Sequence, residues 1–460
     1  MKYRQFSRSC PVDASAAELF AWHARPGAFQ RLLPPWERAE VVEQKGTIRD
    51  GDKLVLKMRA GPFSQRWVAE HVDYIEGHQF CDKQTSGPFA HWEHFHQFYA
   101  AGAESSRLTD RIEYALPVGV VTNPLLGWVV DRKLARMFHY RHRVTRDDLA
   151  AHHRFVGRPP LRVLITGSGG LVGSALIPFL QTGGHTIARL TRMQSKRGGI
   201  RWDPEAGEID PGSLEGFDAV VHLAGENIAG GRWNEARKQR ILESRVKGTQ
   251  LLAGALAKLK NPPKVFACAS AVGFYGDRGD EALDETSAAG QGFLAEVCQA
   301  WEAATKPASE AGIRTVNLRF GVILSGSGGA LGKMLPPFQL GAGGRIGGGR
   351  QWMSWVALDD VIGAIHHALL TDTVAGPVNV VSPTPMTNAE FTKTLGRVLV
   401  RPTIFPMPVF AAKLALGEMA EELLLAGQRV LPKRLEAADY RFRFNDLEDA
   451  LRHVLGRLRP

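Results

Sequence analysis

The chain has 460 residues, 44% of them apolar and 23% charged, which excludes a disordered, collagen-like or fibrous protein. A single core stops growing near about 250–300 residues, so more than one domain is expected. Lys+Arg 57 against Asp+Glu 47 gives a net charge of +10, but the basic residues are scattered; that favours an anionic small molecule over nucleic acid, whose footprint is a clustered patch.

No apolar run approaches the ~20 residues of a membrane span, and the best candidate, 119–130, is interrupted by Asn123 and Pro124. The opening MKYRQFSRSC lacks the apolar stretch of a signal peptide. Cys10, Cys81, Cys268 and Cys298 are far apart and form no CxxC pair, so neither a zinc site nor a disulfide framework is expected, and a reducing cytoplasm is the natural setting.

Before residue 151 aromatic residues and histidines are dense and glycine is sparse. Ser15-Ala16-Ala17-Glu18 is a capping box that opens a helix from Ala16 to about His23, stopped by Pro26. Alternating polar and apolar residues in 53–58 and 66–72 predict strands, separated by turns such as Arg49-Asp50-Gly51-Asp52. Residues 125–149 read as one long helix with Leu126, Val129, Val130, Leu134 and Phe138 on one face. Helix, antiparallel sheet and closing helix make an α+β layout.

Phe20-Ala21-Trp22-His23, Leu33-Pro34-Pro35-Trp36, Gly87-Pro88-Phe89 with Trp92, and the long helix make this segment resemble the START-like helix-grip superfamily in its polyketide cyclase/dehydrase branch. The resemblance implies a ligand-binding domain over 1–155, with a cavity between helix and sheet suited to an apolar ligand. In His91-Trp92-Glu93-His94-Phe95-His96, period two puts His94 and His96 on one face and His91 and Glu93 on the other. Three histidines cannot converge from this strand alone, so no metal site is expected and a polar or cavity-lining strand is.

After Arg158-Pro159-Pro160 the text changes. An apolar run, 161–166, leads into Gly167-Ser168-Gly169-Gly170-Leu171-Val172-Gly173, and 174–180 reads as a helix. A GxxGxxG between a strand and a helix is a dinucleotide site. Gly167 permits the tight turn, Gly170 lets backbone approach a pyrophosphate, and Gly173 allows close helix–strand packing. The helix start, with Leu171 and Val172, supplies N–H donors and a partial positive charge.

The next strand, 186–190, is followed by Thr191-Arg192-Met193-Gln194-Ser195-Lys196-Arg197, where an NAD-binding protein would carry an acid for the ribose 2′-hydroxyl. Basic residues suit a 2′-phosphate, which makes NADP(H) the expected cofactor and Arg192 its best candidate contact. A further strand, 219–223, ends at Leu223-Ala224-Gly225, placed beside the cofactor in a doubly wound sheet; strands at 265–269, ending at Ser270, and 316–321 follow.

Leu223-Ala224-Gly225-Glu226-Asn227-Ile228, Arg232-Trp233, Ser244-Arg245-Val246 with Thr249, Ser270 to Gly276, and Trp352 to Val356 with Asp359-Asp360 resemble the extended short-chain dehydrogenase/reductase superfamily, in the epimerase subgroup of NAD-dependent epimerase/dehydratase proteins. This implies a Rossmann-type α/β domain over 161–400, a small helical domain over 401–460 closing the substrate side, and oxidoreductase or epimerase-like activity on a small molecule. Superfamily members use a Tyr and a Lys four residues later on one helix. The corresponding stretch here, 293–302, offers only Phe293/Val297 or Leu294/Cys298. Ser270 lies five positions before Tyr275, where the superfamily spacing is four and Ala271 stands. Ser270 still follows a strand beside the expected nicotinamide, so by strand-end position Ser270 and Tyr275 are the expected catalytic residues, with Glu226, Asn227 and Lys333 as substitutes. The alternatives are a non-catalytic NADP(H) sensor and a carrier of an apolar ligand. The glycine-rich 341–349 is expected to be a flexible lobe, and Asp359-Asp360 a helix cap.

Overall fold

The computed structural model describes residues 3–37, 39–60, 63–192 and 199–458. The chain divides into two compact units, with the break between Arg158 and Pro159; Gln181–Gly184 and the chain end group with the first unit. Among the described residues no helix is long and apolar enough to cross a membrane.

The first unit is a seven-stranded antiparallel sheet with helices. Its elements are β1 (Arg4–Val12), α1 (Ala16–Ala24), α2 (Ala28–Leu32), β2 (Ala39–Lys45), β3 (Lys53–Ala60), β4 (Phe63–Ile75), β5 (Gln79–Ser86), β6 (His91–Gly102), β7 (Ser105–Ala115) and α3 (Gly119–His153). The strand order is β1-β7-β6-β5-β4-β3-β2. The Ser15 box forms: the Ser15 hydroxyl accepts from the Glu18 N–H, and the Glu18 carboxylate accepts from the Ser15 N–H. Val130, Leu134 and Phe138 of α3 pack on Trp92, Ile112 and Tyr114. Leu126 and Val129, expected on the same buried face, are instead 53% and 46% exposed. The apolar row ends at Tyr114, whose hydroxyl meets the Gly127 carbonyl and the Asp131 carboxylate, so the first turns of α3 run past the core.

The second unit is built on an eight-stranded sheet. It comprises β8 (Arg162–Thr166), α4 (Leu171–Thr182), β9 (Thr186–Thr191), β10 (Ile200–Asp203), β11 (Glu208–Ile209), β12 (Ala219–His222), α5 (Glu235–Leu256), β13 (Val265–Ala271) and α6 (Phe293–Ala303), then strands Arg314–Phe320 and Gly376–Val380. The order is β11-β10-β9-β8-β12-β13 followed by those two strands, and every pair except β10–β11 is parallel. Val163, Leu164 and Ile165 are fully buried, as parallel strands covered on both faces require. The direction of winding reverses between β8 and β12, the crevice where doubly wound sheets bind ligands.

The tail from residue 401 to Arg457 belongs to this unit. Asp360, in helix Leu358–Leu370, accepts from the backbone N–H groups of Arg443 (2.7 Å) and Phe444 (3.2 Å), and Asp359 pairs with His453 at 3.0 Å. These two carboxylates thus anchor the tail; they do not cap their own helix, whose N-cap Ala357 makes no side-chain bond. The expected flexible lobe at 341–349 is instead tied down: the Gly347 N–H donates to the Met407 carbonyl and the Met407 N–H to the Arg345 carbonyl.

Candidate functional site: two turns at the reversal of the sheet

The turns after β8 and β12 touch. Gly167 has φ +65°, and a Cβ there would lie 2.6 Å from the Leu223 carbonyl carbon. A Cβ on Gly173 would lie 2.4 Å from the Gly167 oxygen. Both positions demand glycine, one for its backbone and its neighbour, the other for the approach of α4. Gly170 is different: it is exposed, and a Cβ would meet only the Gly167 oxygen at 3.3 Å. Space is left there for a ligand to lie against the backbone. Helix α4 begins at Leu171, three residues earlier than the sequence pattern indicated, so its unpaired first-turn N–H groups start at Leu171 and Val172.

Thr166, the last residue of β8, holds the second turn. Its hydroxyl accepts from the N–H groups of Leu223 (3.0 Å) and Ala224 (3.1 Å), and its oxygen lies 2.8 Å from Nδ1 of His222. Two acceptances use both lone pairs of the hydroxyl, so its proton goes to His222. His222 is therefore neutral with Nδ1 as acceptor, and burial holds its pKa down at about 4. Beyond Ala224 the chain is open: Gly225 is exposed, and a Cβ there would lie 3.4 Å from Arg245 Cζ, a cation that rests 4.9 Å from the ring of Trp301. Arg192 is exposed just past the end of β9; Met193, Gln194, Ser195, Lys196 and Arg197 lie outside the described residues.

The expected catalytic residues lie in a buried network across three strands. Ser270 on β13, Arg319 on the next strand and Asn379 on the one beyond are in register. Ser270 donates to Glu302 at 2.7 Å, and Arg319 grips both oxygens of Glu302 at 2.8 Å. Arg319 also donates to the Tyr275 hydroxyl at 2.9 Å, and that hydroxyl lies 2.9 Å from the Asp284 carbonyl and 2.8 Å from Asn379 Oδ1. Ser270 is 2% exposed and Tyr275 is fully buried. Burial raises the Tyr275 pKa even though Arg319 opposes it, the reverse of a tyrosine readied as a base. The geometry thus gives Tyr275 a structural place, bonded on all sides, where the sequence suggested a proton donor. Helix α6 presents a buried Val297 and Cys298, with the Cys298 thiol pushed up to about 11 by burial.

The substitutes also have partners. The Glu226 carboxylate lies 3.7 Å from Arg237, Asn227 Oδ1 accepts from the Ala229 N–H at 3.0 Å, and Lys333 donates to the Ala229 carbonyl. All three organise the loop after β12. Sequence reading missed Glu302 and the coupling of Thr166 to His222. A lone threonine and a lone histidine at the same level of two apolar strands were the available signal.

Residues 163–381 match the NAD dependent epimerase/dehydratase family, residues 12–139 the polyketide cyclase/dehydrase and lipid transport family, and residues 407–454 a domain of unknown function, DUF1731. An epimerase family protein of Mycobacterium tuberculosis is 45% identical over 296 residues, covering 64% of this chain and 98% of the relative. The crystal structure of human epimerase family protein SDR39U1 with NADPH is similar at 38% identity and TM-score 0.61, over 65% of this chain and 100% of that one. A crystal structure described as the nucleoside-diphosphate sugar epimerase from Corynebacterium glutamicum matches at 36% identity and TM-score 0.80, over 98% of this chain and 90% of that one.

Proposed function

We propose, for a chain that belongs to the NAD dependent epimerase/dehydratase family, that it is a cytoplasmic NADP(H)-dependent oxidoreductase or epimerase-like enzyme acting on a small-molecule substrate. The observation that carries this reading is the open Gly170 backbone between the locked Gly167 and Gly173, at the reversal of the sheet. Gly170, Leu171 and Val172 offer N–H groups to a pyrophosphate, Gly167 and Gly173 keep that backbone in place, and Leu223, Ala224 and Gly225 form the opposite wall. Arg192 takes the 2′-phosphate, in keeping with the NADPH found with the human relative. The cofactor, when bound, supplies the hydride chemistry; the protein positions it. Ser270, at the end of β13, orients the substrate side through Glu302 and Arg319.

A second reading, an NADP(H)-binding sensor without turnover, is favoured by one observation: α6 carries neither Tyr nor Lys, and the hydroxyls of Ser270 and Tyr275 are buried and bonded. Following NADPH absorbance with the full chain against a panel of carbonyl compounds and sugar nucleotides separates the two. Substrate-dependent oxidation supports the enzyme; tight NADPH binding with no oxidation across the panel supports the sensor.

A further inference from the structure

The inner face of the first unit's sheet holds a group of histidines and carboxylates that the nucleotide site does not use. His94 and His96 share that face, as period two requires, and strand register sets Asp82 of β5 opposite His94 and Asp110 of β7 opposite His96. The convergence that one strand could not supply comes from its neighbours. Asp82 Oδ2 lies 3.7 Å from His94 Nδ1 and 3.3 Å from His96 Nε2. Donor atoms at about 2.1 Å from a tetrahedral ion stand about 3.4 Å apart, so this is the spacing of three ligands around one centre.

Two of the three also have their other polar atom engaged. His94 Nε2 lies 2.9 Å from Asp110 Oδ1, which fixes the tautomer that leaves Nδ1 as a lone-pair donor. Asp82 Oδ1 lies 2.9 Å from His71 Nε2, leaving Oδ2 for the centre. His96 Nδ1 is 2.8 Å from Asp110 Oδ1 yet makes no aligned hydrogen bond, although the residue is buried. His142, on α3, holds the second oxygen of Asp110 at 2.6 Å. Carboxylates orienting ligating histidines are the usual outer shell of a metal site. The side chain of Asp82 is 28% exposed while those of His94 and His96 are 4% and 6%, so the site has one side through which an ion can enter.

We propose that Asp82, His94 and His96 bind a divalent transition-metal ion, with Zn²⁺ the best fit, leaving a fourth position for water or a ligand. Two imidazoles and one carboxylate suit a borderline cation, and three protein ligands leave the open position typical of reactive rather than structural zinc. The rival is a hydrogen-bonded cluster that needs no ion.

The test titrates Co²⁺ into the EDTA-treated full chain and follows the visible d–d bands, then displaces Co²⁺ with Zn²⁺. One equivalent, with the strong bands of four- or five-coordination and stoichiometric displacement, is expected. Asp82→Asn and His94→Gln should each weaken Co²⁺ binding at least about a hundredfold, and His142→Gln, which reaches the site through Asp110, about tenfold. If Asp82→Asn or His94→Gln fails to fold by circular dichroism, the wild-type titration decides. No bands in the wild type, or binding that survives intact in folded Asp82→Asn and His94→Gln, overturns the proposal and leaves the hydrogen-bonded cluster.

Discussion

Thr166 and His222 stand in register on adjacent parallel strands, and the direction of one hydrogen bond between them determines how the turn after His222 is held. The threonine accepts twice from the second turn and donates once to the histidine. Replacing it by valine keeps the shape and removes all three bonds. Unmet buried N–H groups cost about 1–3 kcal/mol each. Thr166→Val should lose roughly 2 kcal/mol of stability and bind NADPH about tenfold more weakly, while Thr166→Ser stays near wild type. Denaturant titration and calorimetry check both; equal behaviour of the two variants would remove the hydroxyl from the account.

The neutral His222 gives a pH dependence with a definite sign. Its folded pKa of about 4 lies below the unfolded value of about 6.5, so the unfolded chain takes up a proton first. Its contribution is complete above about pH 6.5 and is lost as pH falls toward 4, by up to about 3 kcal/mol. His222→Gln, which cannot titrate, should show a shallower loss of stability between pH 6.5 and 5 than the wild type. Parallel curves for the two proteins rule this out.

The glycines should fail in different ways. Gly173→Ala places a methyl 2.4 Å from the Gly167 oxygen, so α4 must shift; a cost of about 1–3 kcal/mol and lost NADPH binding are expected. Gly170→Val meets nothing nearer than 3.3 Å at its Cβ and should leave the circular dichroism spectrum unchanged while abolishing NADPH binding. Normal NADPH binding by Gly170→Val would move the nucleotide elsewhere.

Glu302 is the partner that keeps the Arg319 charge inside the protein. Their side chains are 13% and 4% exposed, and removing one member of such a pair leaves an unpaired buried charge, at about 3–5 kcal/mol. Glu302→Gln should lower the urea midpoint accordingly, whereas Ser270→Ala, which deletes one neutral donor to the same carboxylate, should cost nearer 1 kcal/mol. Equal costs for the two would show that the ion pair is not what holds these strand ends.

What the sequence made legible is what a short stretch carries by itself. An unbroken apolar strand running into Gly167, Gly170 and Gly173 can satisfy its backbone only in a few ways, and the capping box at Ser15 is complete within four residues. Period two placed His94 and His96 on one face. The unread features join distant segments: Thr166 to His222, Glu302 to Arg319, Asp360 to Phe444, and His94 to Asp110 across neighbouring strands. Tyr275 went astray for the same reason. Its place just past a strand end suggested the substrate side, while Arg319 and Asn379, invisible to local spacing, draw its hydroxyl inward.

NADP(H) binding at the two turns, with Arg192 on the 2′-phosphate, is tested by calorimetric titration of the full chain with NADPH and with NADH. One site is expected, with NADPH at least tenfold tighter, a difference of about 1.4 kcal/mol that one charge-assisted contact supplies, and Arg192→Ala should erase most of that preference. Equal affinities for the two nucleotides, or no binding of either, would contradict the account.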